Sequence, residues 1–212
     1  MRFYAVADIH ARKGRFNKIR DDIEKYRPQV LLVAGDMISF VRADPVLSCL
    51  NDMPVPVLIV RGNSDPAYVE KKLPMFTNIT SLHLNPVVVR GIQFLGLSGT
   101  IPVPFRSRIR FREKALFDQM QSIVDHETIL VAHPPPWGTL DEAGGKFHAG
   151  SKAMRNLIHK KQPRLYVCGH IHEASGVTFQ GETMVVNCSM PGREKGALIE
   201  VGKGNGIRLE WV

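Results

Sequence analysis

The stretch YVCGHIHEAS, residues 166–175, sets a short apolar run against a glycine and then two histidines two positions apart. The same design recurs along the chain. AVADIH ends in Asp8 and His10, LLVAGD in Asp36, LIVRGN in Asn63 and ILVAH in His133, while YVCGHIH supplies His170 and His172. Each run is aliphatic or β-branched without polar alternation, as expected of strands buried on both faces. In open α/β sheets functional groups collect at the carboxyl ends of strands, so positions more than 160 residues apart can converge on one cleft.

The segments between these runs agree with an α/β chain. Phe16, Ile19, Ile23 and Tyr26 recur at helical spacing, and Asp44 followed by Pro45 reads as the cap and first turn of a second helix. SLHLNPVVV and IQFLGLS flank Arg90-Gly91 as a hairpin, and Leu116, Met120 and Ile123 share one face of a helix near 111–126. TILVAH leads through a proline- and glycine-rich loop to a helix from Ser151 and then to RLYVCGH. The tail from Gly176 onward reads as antiparallel strands separated by turns.

A length of 212 residues suits one domain, 1–212, with core enough for one site. The apolar runs are far too short to span a bilayer, and Asp8 interrupts the first before a signal-peptide core could form, so the expected location is cytoplasmic. Cys49, Cys168 and Cys188 form no CxxC pair and read as small buried residues. A net charge of +8 favours anionic partners, which include phosphorylated small molecules and nucleic acid alike.

Two carboxylates, one amide carbonyl and four imidazoles are too many ligands for one transition-metal ion. They suit two ions that keep positions for water and substrate. The nitrogen-rich set argues against a pure magnesium or calcium site, and the lack of thiolates against a closed structural zinc site. Manganese, iron, zinc, nickel and cobalt are all compatible. On an extended segment His170 and His172 would point the same way, roughly 6.5–7 Å apart, and so serve different ions separated by about 3.5–4 Å.

The ordered set DIH, GDM, GNSD, AHPPP and GHIH strongly resembles the calcineurin-like metallophosphoesterase superfamily, whose pattern is D-x-H, G-D, G-N-H-[DE], H, G-H-x-H. The resemblance implies a sandwich of two mixed β-sheets flanked by helices. It implies one metal held by Asp8, His10, Asp36 and His172, with Asp36 bridging to a second held by Asn63, His133 and His170. It further implies hydrolysis of phosphate esters, with the ions lowering the pKa of a water so that hydroxide attacks phosphorus in line. His10 and Asn63 would stabilise the equatorial oxygens. HPPPWGTLD and HAGS (148–151) further resemble small prokaryotic and animal members for which cyclic-nucleotide and other phosphodiesterase activity is known.

One position departs from the pattern. Ser64 stands where the family's third motif usually has an acid histidine, a group worth about 10² to 10⁴ in rate. A small residue here also occurs in phosphodiesterase-like relatives, which favours diesters, with Ser64 and His148 as substrate-binding candidates and His148 as a replacement acid. Ser151 is equally an ordinary N-cap, and Asp65 before Pro66 reads as the cap of a short helix. His83, His126 and His159 read as surface residues. FRSRIRFREK (105–114) reads as a solvated basic surface, with a nucleic-acid groove as the alternative. A metal-dependent nuclease, a phosphomonoesterase and a non-catalytic interaction module on the same fold are the other functional readings, and no motif bears on oligomeric state.

Overall fold

The computed structural model describes residues 1–39, 42–99, 110–202 and 206–212, with the backbone alone for 110–116. The first half runs β1 (Arg2–Val6), α1 (Lys13–Tyr26), β2 (Leu31–Ala34), α2 (Ala43–Asn51), β3 (Val57–Val60), α3 (Tyr68–Lys72), β4 (Ile79–Ser81), β5 (Val87–Val89) and β6 (Ile92–Leu97). The second half runs α4 (Arg110–Ile123), β7 (Ile129–Ala132), β8 (Glu142–Ala143), β9 (Phe147–His148), α5 (Lys152–Lys161), β10 (Leu165–Cys168), β11 (Gly176–Gln180), β12 (Thr183–Asn187), β13 (Ala197–Val201) and β14 (Ile207–Trp211). Two six-stranded sheets form, ordered β14-β13-β1-β2-β3-β4 and β11-β12-β10-β7-β6-β5, both mixing parallel and antiparallel pairs.

The period-two geometry of a strand explains why the runs are apolar throughout. Phe3, Ala5, Leu32, Ala34, Leu58 and Val60 face the other sheet, where Phe94, Ile129, Val131, Leu165 and Val167 meet them. Their neighbours Tyr4, Val6, Leu31, Val33 and Ile59 face outward onto Phe16, Ile19 and Ile23 of α1 and Leu47 and Leu50 of α2. On the second sheet Leu95, Leu130, Tyr166 and Val185 are covered by Met120 of α4 and by Met154, Leu157 and Ile158 of α5. Arg90 and Gly91, at φ 52° and 80°, turn the expected hairpin between β5 and β6.

Four expectations change, the first being that Asp44 lies inside the first turn of α2 and does not cap it, the N-cap being Arg42. The tail is divided between the sheets: β12 runs parallel to β10, whereas β13 and β14 join β1. The connection crosses beside β1, where Ala7 N–H donates to Cys188 O and Met190 N–H to Ala7 O. Cys168 and Cys188 are buried but Cys49 on α2 is exposed. His83 is half-buried, its Nδ1 accepting from Ser98 N–H, whereas His126 and His159 are exposed. Of the basic segment, Arg106 and Arg108 lie outside the described residues, and Arg110, Arg112 and Lys114 fall in α4. No described helix is long and apolar enough to cross a membrane.

Candidate metal centre

All the strand ends singled out above, those of β1, β2, β3, β7 and β10, lie at one edge of the sandwich. Two trios of ligand atoms assemble there, Asp8 with His10 and His172, and Asp8 with Asp36 and His133. Asp8 Oδ1 is common to both. It is buried and makes no aligned hydrogen bond, and neither does the buried Nε2 of His133. Around that oxygen stand three imidazole Nε2 atoms, of His172 at 3.3 Å, His10 at 3.8 Å and His133 at 3.8 Å. His10 and His172 face each other Nε2 to Nε2 at 3.5 Å. Donors bound to one ion at 2.0–2.2 Å stand about 3.0–3.6 Å apart, so this spacing fits a divalent cation with little movement.

The second polar atoms of Asp8, His133 and His10 are already engaged. Asp8 Oδ2 accepts from Ser189 Oγ at 2.5 Å and from His170 N–H at 2.9 Å. His133 donates Nδ1–H to Ala34 O at 2.8 Å, which fixes the ring's orientation and turns Nε2 toward Asp8 and Asp36. His10 Nδ1 pairs with Ser39 Oγ at 2.8 Å. The backbone is held under strain: Asp8, His10, Asp36 and His170 have φ between 52° and 73°, a region that costs about 1 kcal/mol or more for a residue with a Cβ. Hydrogen bonds between loops, from Asp8 N–H to Gly35 O and from His10 N–H to Asp36 O, stabilise it.

The glycines before the ligands serve close approach. A Cβ on Gly35 would lie 2.6 Å from His133 Nδ1, one on Gly62 2.1 Å from Asp36 Oδ1, and one on Gly169 2.6 Å from Asp8 Oδ2. Each motif glycine thus makes room for a side chain belonging to a different motif.

His170 and His172 do not lie on an extended segment. His170 is left-handed and His172 opens a 3-10 turn, His172–Ala174. The two still part company: His172 joins Asp8 and His10, while His170 packs edge-on against His133 with centroids 5.0 Å apart. Asn63 is exposed beside Ser64, with its Nδ2 3.4 Å from Ser64 Oγ. Ser64 commits both its donors to Asp36, N–H to Oδ1 and Oγ–H to Oδ2, each at 2.8 Å. Asp65 caps no helix, since α3 begins only at Tyr68. It is buried, and its two oxygens accept from Ile38 N–H and Gly62 N–H, tying the loop after β2 to the loop after β3. Ser151 is the N-cap of α5, accepting from Met154 N–H. His148 is exposed in β9, outside both trios.

Sequence reading misses Arg15. Its guanidinium is buried, donates to the carbonyls of Asp8 and Ile9, and forms a two-pronged pair with Glu194 at 2.7 and 3.1 Å. The turn that presents Asp8 and His10, two candidate ligands, is thereby anchored to the loop before β13. On a helix an arginine ordinarily reads as solvent-facing, and only the later Glu194 could have marked it.

In the metal-free protein, burial pulls the His133 pKa down, but the Asp36 contact and the charges of Asp8 and Asp36 win and raise it to about 9. Burial and the neighbouring His133 hold His170 down at about 4. The raised group contributes stability that is complete below about 6.5 and lost as pH rises through 9, whereas the lowered one withdraws stability as pH falls from 6.5 toward 4. Chelator-treated protein is therefore expected to melt highest near pH 6.5 and lower on both sides. A melting temperature climbing steadily to pH 9 would contradict this balance.

The calcineurin-like phosphoesterase profile matches residues 1–174. The chain belongs to the calcineurin-like phosphoesterase family. Members are metal-dependent phosphoric ester hydrolases, and the family implies a dinuclear divalent-metal site. This phosphoesterase is 28% identical over 202 residues to the uncharacterized protein MJ1162 of Methanocaldococcus jannaschii, covering 89% of this chain and 88% of that one. It is 32% identical over 136 residues to human metallophosphoesterase domain-containing protein 1, covering 59% of this chain but 39% of the human protein. Among solved structures, a dimetal phosphatase from Danio rerio superposes with a TM-score of 0.69 at 12% identity, covering 100% of this chain and 95% of that one. A novel archaeal phosphodiesterase superposes at 0.57 and 11% identity, with both chains covered in full. These likenesses show the fold.

Proposed function

We propose that this phosphoesterase hydrolyses phosphodiesters, cyclic nucleotides among them, at two divalent ions, manganese first among manganese, iron, zinc, nickel and cobalt. Asp8, His10, Asp36 and His172 would hold one ion, and Asn63, His133 and His170, with Asp36, the other. The observation that carries this reading is the bare, buried Asp8 Oδ1 ringed by imidazole Nε2 atoms. Unpaired buried polar groups cost about 1–3 kcal/mol each, more when charged, and a cation relieves several at once. Asp36 belongs to the second trio, and its charge is felt at His10 and His172 of the first as well as at His133 and His170. When bound, the ions supply Lewis acidity and make a water acidic enough to act as nucleophile near neutral pH.

The chain's own groups decide which esters suit the site. Ser64 replaces an imidazole by a hydroxymethyl whose proton is given to Asp36 Oδ2. It therefore offers no proton to a departing oxygen, and its small size leaves room for the second ester arm of a diester. Exposed Asn63 lines the opening, where its Nδ2–H₂ can reach the non-bridging oxygens of the substrate, whereas His10 has Nε2 turned into its trio and Nδ1 paired with Ser39 Oγ and so has no N–H left for that role.

The test sets para-nitrophenyl phosphate beside its bis-ester with manganese-loaded protein, using His170→Ala as the blank. The bis-ester should turn over faster, and the blank should be inactive. Ser64→His should raise monoester hydrolysis selectively, by about tenfold or more. An unchanged ratio of monoester to diester rates would sink the role given to Ser64.

A further inference from the structure

The loop between β7 and α5 holds a second polar cluster outside both trios. It leaves the sheet at His133 and closes at its stem, where Ser151 N–H donates to Pro135 O at 2.8 Å and Trp137 N–H to Ser151 O at 3.1 Å. Between these points β8 and β9 form a small ribbon. Strand β8 packs on the turn that carries His172, and Gly144 N–H donates to Glu173 Oε1 at 2.6 Å. The loop thus departs from one trio and lands on the turn of the other. His148 pairs in register with Glu142 of β8, so it sits one strand spacing, about 4.8 Å, from the strand seated on the His172 turn.

Asp141 is 1% exposed. Its Oδ2 accepts from Gly138 N–H and Gly150 N–H at 3.0 and 3.1 Å, and its Oδ1 accepts from His148 Nδ1 at 2.8 Å. Gly150 is needed for this fit, because a Cβ there would lie 2.7 Å from Asp141 Oδ2 and from Pro136 O. The imidazole is flanked by Trp137, with ring centroids 5.3 Å apart, and the Trp137 ring in turn lies beneath Lys152 Nζ at 4.5 Å. A buried carboxylate fixing Nδ1 sets the tautomer and turns Nε2 outward. This much construction around an exposed histidine exceeds what a loop needs to fold.

We propose that Asp141 and His148 form a carboxylate–imidazole pair in which His148 Nε2 protonates the departing ester oxygen, replacing the histidine absent at position 64. The inference rests on the phosphoesterase reading above and adds the acid to it. As water adds to phosphorus, the bond to the ester oxygen breaks and the electron pair leaves on that oxygen, which takes the Nε2 proton. The imidazole then regains a proton from solvent, and the proton lost by the attacking water balances it. Asp141 is a positioning residue. The hydrogen bond to Asp141, its charge and that of Glu142 favour the protonated imidazole, and Lys152 is the nearby cation.

The test compares diesters with 4-nitrophenyl and alkyl leaving groups in wild type, His148→Ala and Asp141→Asn, with metal content measured in each. His148→Ala should keep its metal and lose about 10² to 10³-fold on the alkyl ester, against less than about tenfold on the 4-nitrophenyl ester, and added imidazole should recover part of the alkyl activity. An NMR titration should show the His148 pKa falling in Asp141→Asn. Equal losses on both esters, or none on the alkyl ester, would overturn the acid role while leaving the phosphoesterase reading intact. A metal-loaded wild type inactive on every ester would overturn that reading first, and this inference with it.

Discussion

Asp8→Asn is expected to lose metal and to cut kcat/KM by about 10³-fold or more, which is about 4 kcal/mol of transition-state stabilisation. Asp8 is irreplaceable because its two oxygens have unlike tasks. Oδ2 accepts from Ser189 Oγ and His170 N–H, while Oδ1 stands bare among three imidazoles and belongs to both trios. An amide in the same place must either turn its NH₂ toward two donors or turn it into the site. In the first case the turn at His170 is disturbed, and in the second the metals meet hydrogens. Asp36→Asn tests the shared role given to the other carboxylate and should likewise lose metal and activity together. Metal analysis after dialysis against a weak chelator, alongside kinetics, checks both. Full metal content with undiminished turnover would refute the assignment.

Gly62→Ala is expected to lower kcat/KM by about 10²-fold, the scale of a 1 Å misplacement at a reacting centre, although no proposed ligand is changed. The new methyl would lie 2.1 Å from Asp36 Oδ1 and 2.6 Å from Asp36 N, so the carboxylate must move. The interior around it is closely packed and returns little of that displacement. Circular dichroism should stay that of the folded protein while the metal-binding curve weakens. Wild-type kinetics in this variant would show that Asp36 tolerates another position.

Much of this centre is legible in the sequence for a physical reason. A strand buried on both faces must be apolar until it ends, so the first polar residue after such a run announces an edge of the sheet. Asp8, Asp36, His133 and His170 all stand at that point, and the strands before them occur as expected. Less legible is anything set by a partner far along the chain. Arg15 reads as one charge on an amphipathic helix until Glu194, 179 residues later, closes on it. Asp65 reads as a helix cap because Pro66 follows, yet its partners are amides of two different loops. Asp141 passes as a loop acid, since a single sequence does not reveal that it is buried against His148. The division of the tail between two sheets escapes for the same reason, because β12 finds β10 on one side while β13 finds β1 on the other.

The span of these contacts also governs how the chain becomes an enzyme. Asp8 reaches His170 across 162 positions and Ser189 across 181, and the amino group of Met1 is bonded to Val201 across 200. Contacts of such separation cost loop entropy before they return any stability, and chains dominated by them fold slowly. Strands β1, β2 and β3 can pair early, but Asp8 meets its partners only once the second sheet has closed over the first. Metal uptake is therefore expected late in folding, and its rate after dilution from denaturant should time the closure of the whole sandwich.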